Sequence, residues 1–232
     1  MQDKQQTVVE HLQELRTCII KSLISIIIGA VVIYQFVPLI FKHLIRPAGK
    51  LVFIAPQEAF VTNLKIAFFG GIFVSLPFIF FQIWRFVSRG LQPNEKKYAL
   101  FFGPVSLLFF VIGAGFGYFL IVPVGVKFLL GYATEFVVPM LTVSRYVSFV
   151  CTLTLAFGFV FQLPLVSMFL TKIGVVTPTL LSNKRKYAVV AVFVLAAVIT
   201  PPDVVTQALM AVPLIILYEI GILFSRFVYK SA

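Results

Sequence analysis

Two carboxylates stand four residues apart just before the first long apolar segment of this chain. Glu10 and Glu14 belong to the stretch "EHLQELR", and the apolar segment begins near Ile19. In a helix these two residues share one face with Thr17 and Lys21. That face is either a solvated helix N-terminus, where the helix dipole favours acidic side chains, or an acidic pocket for a cationic group on a chain of net charge +11.

A third carboxylate that could serve the same chemistry is Glu95, in the loop "LQPNEKKY". Arginine is the side chain best suited to such carboxylates, because its planar guanidinium pairs with them in a bidentate manner. Glu95 is followed directly by Lys96 and Lys97, so a local surface ion pair is the alternative interpretation. Spacing alone does not decide between a cation-binding rim and a solvated surface.

The residues needed for catalysis are scarce in this sequence. His11 and His43 are the two histidines, and they flank the first apolar segment on opposite sides, so neither a zinc shell nor a Ser-His-Asp group is expected. The stretch "GAGFG" (113–117) has the GxxxG spacing of a helix-packing face, and no GxxxxGK[ST] phosphate loop is present. We therefore expect neither an enzyme nor a bound cofactor.

One polar residue interrupts the middle of an apolar segment. Gln162 lies in "FGFVFQLPLV", and an amide at such depth either forms an interhelical hydrogen bond or belongs to a functional site. Because an amide does not ionise, Gln162 cannot relay a proton. Glu219, late in the last apolar segment, could equally extend toward the membrane interface or serve a function.

The elements that position these residues are predicted to be transmembrane helices. The chain has 232 residues, of which 60% are hydrophobic and only 12% are charged, a composition typical of integral membrane proteins. We predict an all-α polytopic membrane protein in which residues 1–232 form a single transmembrane helical domain. The six predicted spans are 19–37, 66–84, 100–122, 146–170, 188–200 and 204–224.

The last two spans are predicted to form a hairpin around "ITPPDVV". Pro201 and Pro202 lack N–H donors and end one helix, and Asp203 can cap the next. The fifth helix, 188–200, is then about 20 Å long, which is short for a hydrocarbon layer of about 30 Å. Thr200 and Gln207 would line a polar indentation at this turn, since polar backbone at such depth needs water or protein around it.

Basic residues set the predicted orientation. Six spans place both termini on one side of the membrane, and 13 of the 19 Lys and Arg residues fall on that side. The positive-inside rule therefore predicts cytoplasmic termini in the cytoplasmic (inner) membrane.

Five ordered motifs resemble the TatC family, the six-helix receptors of the twin-arginine protein translocase. The resemblance covers essentially the whole chain. The motifs are "HLQELR" (11–16), "FFQIWRFVSRGLQPNEKK" (80–97), "AFGFVFQLP" (156–164), "VVTPTLLSNKRKYAVVAVFVLAAVITPPD" (175–203) and "EIGILFSRF" (219–227).

The resemblance implies a receptor for signal peptides that carry consecutive arginines on folded precursor proteins. It implies that Glu14 and Glu95 are the recognition carboxylates, that Arg16 matches the arginine of the first motif, and that Pro47 matches a proline important in the first external loop. Many members of the family carry glutamate where this chain has Gln162, so the resemblance implies no charge-dependent role for that position.

The resemblance also implies partners and an energy source. TatA-like and TatB-like single-span proteins would dock beside Thr200 and Gln207, transport would draw on the proton gradient, and copies of this chain could associate in the bilayer. Nucleic acid is not an expected partner. Two alternatives stand beside this interpretation: a small-solute secondary transporter, which would need an ionisable coupling residue inside the membrane, and a purely structural scaffold.

Overall fold

The chain folds into helices joined by short connections. The computed structural model describes residues 8–48, 51–92, 95–131, 140–199 and 204–230. Within these residues the β-structure is limited to an isolated bridge between Val52 and Thr142. The helices are α1 (Val8–Tyr34), α2 (Val37–Leu44), α3 (Gln57–Arg89), α4 (Lys96–Phe116), α5 (Val122–Leu130), α6 (Val143–Val160), α7 (Gln162–Lys172), α8 (Pro178–Asn183), α9 (Arg185–Ile199) and α10 (Val204–Lys230).

Five helical stretches in the described residues are long and apolar enough to cross a membrane. They are Val9–Tyr34, Gln57–Arg89, Phe101–Leu130, Val143–Lys172 and Gln207–Tyr229. The all-α prediction is therefore confirmed for the described part of the chain. The fifth predicted span, 188–200, corresponds to α9, whose 15 residues extend over about 22 Å and which is not among these five stretches. A six-span topology therefore stays a prediction.

Several helix ends differ from the predicted spans because a helix continues beyond its apolar residues. The second span was predicted over 66–84, whereas α3 runs from Gln57 to Arg89. The first was predicted over 19–37, whereas α1 runs from Val8 to Tyr34 and α2 begins at Val37. Pro38 thus lies in the first turn of a new helix, a position that tolerates the missing N–H.

Two of the predicted spans contain interruptions. Residues Gly117–Ile121 form a π-helical turn between α4 and α5, so the third helical stretch extends to Leu130. The fourth bends at Phe161, where α6 ends and α7 begins. Pro164 explains this bend, because it cannot donate a hydrogen bond to the carbonyl of Val160.

One compact unit comprises the described residues of 1–41 and 63–107. Here α1 and α3 approach so closely that a Cβ added to Gly71 would lie 2.5 Å from the backbone nitrogen of Ala30. Close to this contact the Ser75 hydroxyl donates to the Ser25 carbonyl at 2.7 Å. Glycine at position 71 therefore permits backbone-to-backbone packing of these two helices.

The second compact unit comprises the described residues of 42–62 and 108–232. In this unit α7 packs on α10 through a buried contact of 2.5 Å between the Thr171 and Ser225 hydroxyls. The "GAGFG" stretch packs as predicted, because a Cβ at Gly113 would lie 2.6 Å from the Phe157 carbonyl oxygen. Small residues and hydroxyl groups thus bring these helices together, as is usual in membranes.

The Glu58 carboxylate accepts hydrogen bonds from two backbone segments of the second unit. One carboxylate oxygen accepts from the Ile54 N–H at 2.9 Å, and the other accepts from the Ser144 N–H at 3.0 Å. The bridge between Val52 and Thr142 lies beside these contacts. A single side chain therefore connects the start of α3 with the start of α6.

Candidate functional site

A polar pocket lies between the first turns of α1 and the last turns of α3, both within the first compact unit. Its volume is about 490 Å³, and most of the side chains that line it are polar or charged. The residues that line it are Glu10, Gln13, Glu14, Thr17, Cys18 and Lys21 from α1, with Gln82, Arg85, Phe86 and Arg89 from α3.

Charge in this pocket is mixed rather than purely acidic. The structure places Glu10, Glu14 and Lys21 on its α1 side, which is the helix face that the sequence predicts. From α3, Arg89 forms an ion pair with Glu14. The Glu14 side chain is 21% exposed and that of Arg89 is 38% exposed, whereas the second carboxylate oxygen of Glu14 is buried. A cation that enters the pocket therefore reaches Glu14 by displacing Arg89.

The inner part of the pocket is fixed by contacts between α1 and α3. Gln82 is buried and contributes a polar wall, and its carbonyl oxygen lies 3.7 Å from the Cys18 sulfur. Beside the pocket, the Phe86 ring stacks on His11 with ring centroids 4.3 Å apart. These contacts hold Glu14 and Arg89 on facing helices.

Two of the predicted recognition residues lie elsewhere. Arg16 is exposed on α1 and is absent from the pocket lining. Glu95 lies just before α4, where its carboxylate accepts a hydrogen bond from the Gln92 N–H at 3.1 Å, and it too is absent from the lining. The structure therefore brings Glu10 and Glu14 into one pocket and leaves Glu95 in a local loop contact.

Sequence reasoning missed the α3 side of this pocket, including Gln82 and Arg89. Both lie in the motif "FFQIWRFVSRGLQPNEKK", but nothing in their spacing relates them to Glu14. The pairing of Arg89 with Glu14 joins residues 75 positions apart. The one available signal was the identity of Arg89 as a cation at the end of an apolar segment.

The other predicted residues are spread over the second unit. Pro47 is exposed in the turn after α2. The Gln207 amide donates to the Phe193 carbonyl at 3.0 Å, which links α10 to α9 near their junction. The remaining hairpin residues, Thr200, Pro201, Pro202 and Asp203, lie outside the described residues.

Gln162 occupies the first position of α7, directly after the bend at Phe161. The side chain is half-buried, and its Nε2 lies 3.5 Å from the Gly158 carbonyl oxygen. The amide thus contributes polarity at a helix break, where backbone groups need partners.

Glu219 has a clear partner. Its carboxylate lies 2.7 Å from Arg185 Nε and accepts a second hydrogen bond from Arg185 Nη2 at 2.8 Å, so the pairing is bidentate and joins α10 to the start of α9. Both side chains are more than 40% exposed. Such a pair contributes under about 1 kcal/mol to stability.

Comparison with known families gives a match over most of the chain. The family model described as Sec-independent protein translocase protein (TatC) matches residues 10–213. A Sec-independent protein translocase protein TatC from Carboxydothermus hydrogenoformans is 43% identical over 98% of this chain and 96% of that protein. The protein of the same name from Aquifex aeolicus is 40% identical over 94% of this chain and 93% of its own length.

Solved structures agree with the sequence relatives. A crystal structure described as the twin arginine translocase receptor TatC superimposes with a TM-score of 0.87 at 38% identity, covering 94% of this chain and 99% of that one. A second, in the detergent DDM, gives a TM-score of 0.85 at 39% identity. These matches do not favour a small-solute secondary transporter.

Proposed function

Because this chain belongs to the TatC family of Sec-independent protein translocase proteins, we propose that it is the signal-peptide receptor and core scaffold of a twin-arginine translocase. The chain is a multi-pass membrane protein and a component of protein translocation, a transport role rather than a catalytic one.

One observation carries the proposal: the Glu14 carboxylate pairs with a guanidinium, that of Arg89, inside an accessible pocket. The pocket can therefore accommodate an arginine side chain in the position that recognition requires. A second carboxylate, Glu10, lines the same pocket. One arginine of the peptide's pair would displace Arg89 from Glu14. The second arginine of the pair would be attracted by Glu10.

Glu95 and Arg16 would contribute outside this pocket. Glu95 already accepts a backbone N–H from Gln92, and a carboxylate has further acceptor positions for a guanidinium. The arginine region of the peptide would therefore extend toward the loop between α3 and α4. Arg16, exposed on α1, would help to exclude lysine or arginine residues placed in the wrong register.

Topology supports a cytoplasmic position for this pocket. Both termini are proposed to be cytoplasmic, and the pocket is formed by the first turns of α1 with the last turns of α3. Precursor proteins carrying signal peptides are made on that side. The membrane would be the cytoplasmic (inner) membrane, with six spans that include the short α9.

TatA-like and TatB-like single-span partners are proposed to dock along α9 and α10. The outward face of α9 carries exposed apolar side chains, among them Val190, Val194 and Val198. Gln207 supplies a polar group between the two helices, and the sequence predicts Thr200 in the same hairpin. Cargo movement through the assembly would draw on the proton gradient.

The test is binding of a fluorescent twin-arginine signal peptide, and of its twin-lysine version, to the purified full-length chain. We expect the arginine peptide to bind more tightly and Glu14→Gln to abolish that preference, because an amide cannot pair with a guanidinium in a bidentate ionic manner. Glu219→Gln is the matched control, since it removes an exposed carboxylate that also pairs with arginine. Equal affinity of both peptides for the unmodified chain and for Glu14→Gln would overturn the proposal.

A further inference from the structure

A second, apolar groove lies between α3 and α4 within the first compact unit. Its volume is about 590 Å³, and most of its surface is apolar. The residues that line it are Pro77, Phe80, Phe81, Trp84, Arg85 and Ser88 from α3, with Lys96, Gly103, Pro104 and Leu107 from α4. Among these described lining residues the ionisable ones are Arg85 and Lys96, both cationic.

Charge is confined to one end of this groove. Along α3 the lining runs from Pro77 to Ser88, and along α4 it runs from Leu107 back to Lys96. Eleven residue steps of helix correspond to about 16 Å, close to half of a hydrocarbon layer of about 30 Å. The groove is therefore about as long as one leaflet is thick. Its two cations lie at the end formed by the last turns of α3 and the first turn of α4.

Side-chain contacts hold Trp84 in place in the wall of the groove. The Trp84 indole N–H donates to the Ser106 hydroxyl at 2.8 Å, and its ring stacks on Phe102 with centroids 5.5 Å apart. Opposite the indole, Gly103 presents no side chain: a Cβ there would lie 3.7 Å from Trp84. This shape leaves room for a slender flexible chain beside a fixed aromatic surface.

We propose that this groove is a binding site for an anionic phospholipid. The acyl chain lies along Pro77, Phe81 and Leu107, and the phosphate lies between Arg85 and Lys96. Cations that face the membrane surface attract anionic headgroups, and an indole near the interface favours such a position.

This groove differs from the pocket that contains Glu14 in the charge of its lining residues. That pocket carries two carboxylates suited to arginine beside its cations, whereas both ionisable residues that line the groove are cations, which repel the arginine pair of a signal peptide. Since Arg85 lines both sites, Lys96 is the charged residue whose substitution reports on the groove alone.

Trp84 makes the site directly measurable, because it is the single tryptophan of the chain. The experiment measures quenching of Trp84 fluorescence by brominated phosphatidylglycerol, and by brominated phosphatidylcholine, in nanodiscs of unbrominated phosphatidylcholine that hold the full-length protein. We expect half-maximal quenching at a several-fold lower mole fraction of the anionic lipid. Lys96→Gln should weaken that preference about fivefold, consistent with the attraction of one cation near an anionic surface.

Lys186→Gln is the matched control, because Lys186 is an exposed lysine that does not line the groove. We expect this variant to retain the full preference for phosphatidylglycerol. Gly103→Leu tests the shape of the groove and should reduce quenching by both lipids. Equal quenching by the two lipids in the unmodified chain, or an undiminished preference in Lys96→Gln, would overturn the proposal.

A peptide occupant gives a different result. If a twin-arginine signal peptide displaces brominated phosphatidylglycerol and restores Trp84 fluorescence while Lys96→Gln leaves lipid quenching unchanged, the groove belongs to the peptide and the lipid proposal is wrong. Preference for phosphatidylglycerol that is sensitive to Lys96 supports the proposal, whatever the outcome of peptide binding at Glu14.

Discussion

Arg89, at the end of α3, neutralises Glu14, near the start of α1, through an ion pair across 75 residues of sequence. The pair lies in a pocket that also holds Glu10, Lys21 and Arg85. In the absence of a ligand, the proposed recognition carboxylate is therefore already occupied by an arginine of the same chain. A peptide arginine must displace Arg89 from Glu14. The affinity for the peptide therefore reflects the difference in free energy between the pairing of Glu14 with the peptide arginine and its pairing with Arg89.

The first prediction concerns this internal competitor. Arg89→Gln leaves Glu14 without its arginine and should increase the affinity for a twin-arginine peptide. A partly exposed pair contributes about 0.2–1 kcal/mol, so the dissociation constant should fall by about fivefold at most. Fluorescence anisotropy with a labelled peptide measures the change.

The double variant Glu14→Gln/Arg89→Gln provides the control. It should lose the preference for arginine over lysine, because no carboxylate remains at position 14. If Arg89→Gln instead weakens peptide binding while Glu14→Gln has no effect, Arg89 contacts the peptide itself. The proposal that a peptide guanidinium replaces that of Arg89 at Glu14 would then be wrong.

The sequence located one half of the candidate pocket and missed the other. Glu10 and Glu14 fall on one helix face because helical periodicity is a local property. Arg89 and Gln82 reach that face only after α3 packs on α1, and such packing depends on distant small residues such as Gly71. For the same reason, the bidentate pairing of Glu219 could not be read from its position near a membrane interface.

The fold was predictable where the hydrophobic pattern dominates. Apolar length located the long helical stretches, but it could not show that α3 begins at Gln57, since hydropathy does not detect a polar first turn. The π-helical turn at Gly117–Ile121 and the bend at Phe161 also leave the apolar pattern unchanged. The first depends on local hydrogen bonding and the second on the single proline Pro164, and neither changes the hydropathy of the segment.

The close packing of α1 on α3 gives a second prediction. Gly71→Ala should destabilise the protein, because the added methyl group would lie 2.5 Å from a backbone nitrogen that cannot move alone. Overpacking of this kind costs about 1–3 kcal/mol. Thermal unfolding in detergent should show a midpoint lower by roughly 2–4 °C for each kcal/mol lost.

Gly115→Ala is the matched control for this measurement. It lies in α4, and the nearest atom to its added Cβ would be 4.0 Å away, on Phe119. Alanine has the higher helix propensity, by up to about 1 kcal/mol, so this variant should be neutral or slightly stabilising. Equal destabilisation by both variants would show that helix packing at Gly71 is not the cause.

A third prediction concerns Glu58. The two carboxylate oxygens accept from two different backbone N–H groups, those of Ile54 and Ser144. Glutamine offers one carbonyl oxygen and one amino group, so Glu58→Gln loses one hydrogen bond and places donor against donor. We expect a lower thermal midpoint and faster chymotryptic cleavage after the exposed Phe53, whose peptide bond to Ile54 contains the N–H that Glu58 accepts.

Glu10→Gln is the control for charge alone, because Glu10 is exposed on α1 and lies in the other compact unit. It should leave both the thermal midpoint and the rate of chymotryptic cleavage after Phe53 unchanged. If Glu58→Gln behaves like Glu10→Gln, the backbone around Val52 and Thr142 is held by its own hydrogen bonds rather than by the carboxylate.

The last prediction tests whether α9 is too short to cross the membrane. Its 15 residues extend over about 22 Å, against a hydrocarbon layer of about 30 Å. Val204, the first residue of α10 and 80% exposed, should therefore lie below the outer headgroups. In a background in which Cys18 and Cys151 are replaced, Val204→Cys should react slowly with a bulky impermeant maleimide, and faster as the lipid acyl chains are shortened.

Phe53→Cys is the reference for this experiment. Phe53 is exposed in the connection between α2 and α3, on the side proposed to be external, so its labelling should be fast and independent of acyl-chain length. Hydrophobic mismatch predicts the opposite for Val204→Cys, because thinner bilayers bring the turn closer to water. Fast labelling of Val204→Cys in long-chain lipids, at the rate of Phe53→Cys, would mean that the turn reaches the headgroups and that α9 spans the full hydrocarbon layer.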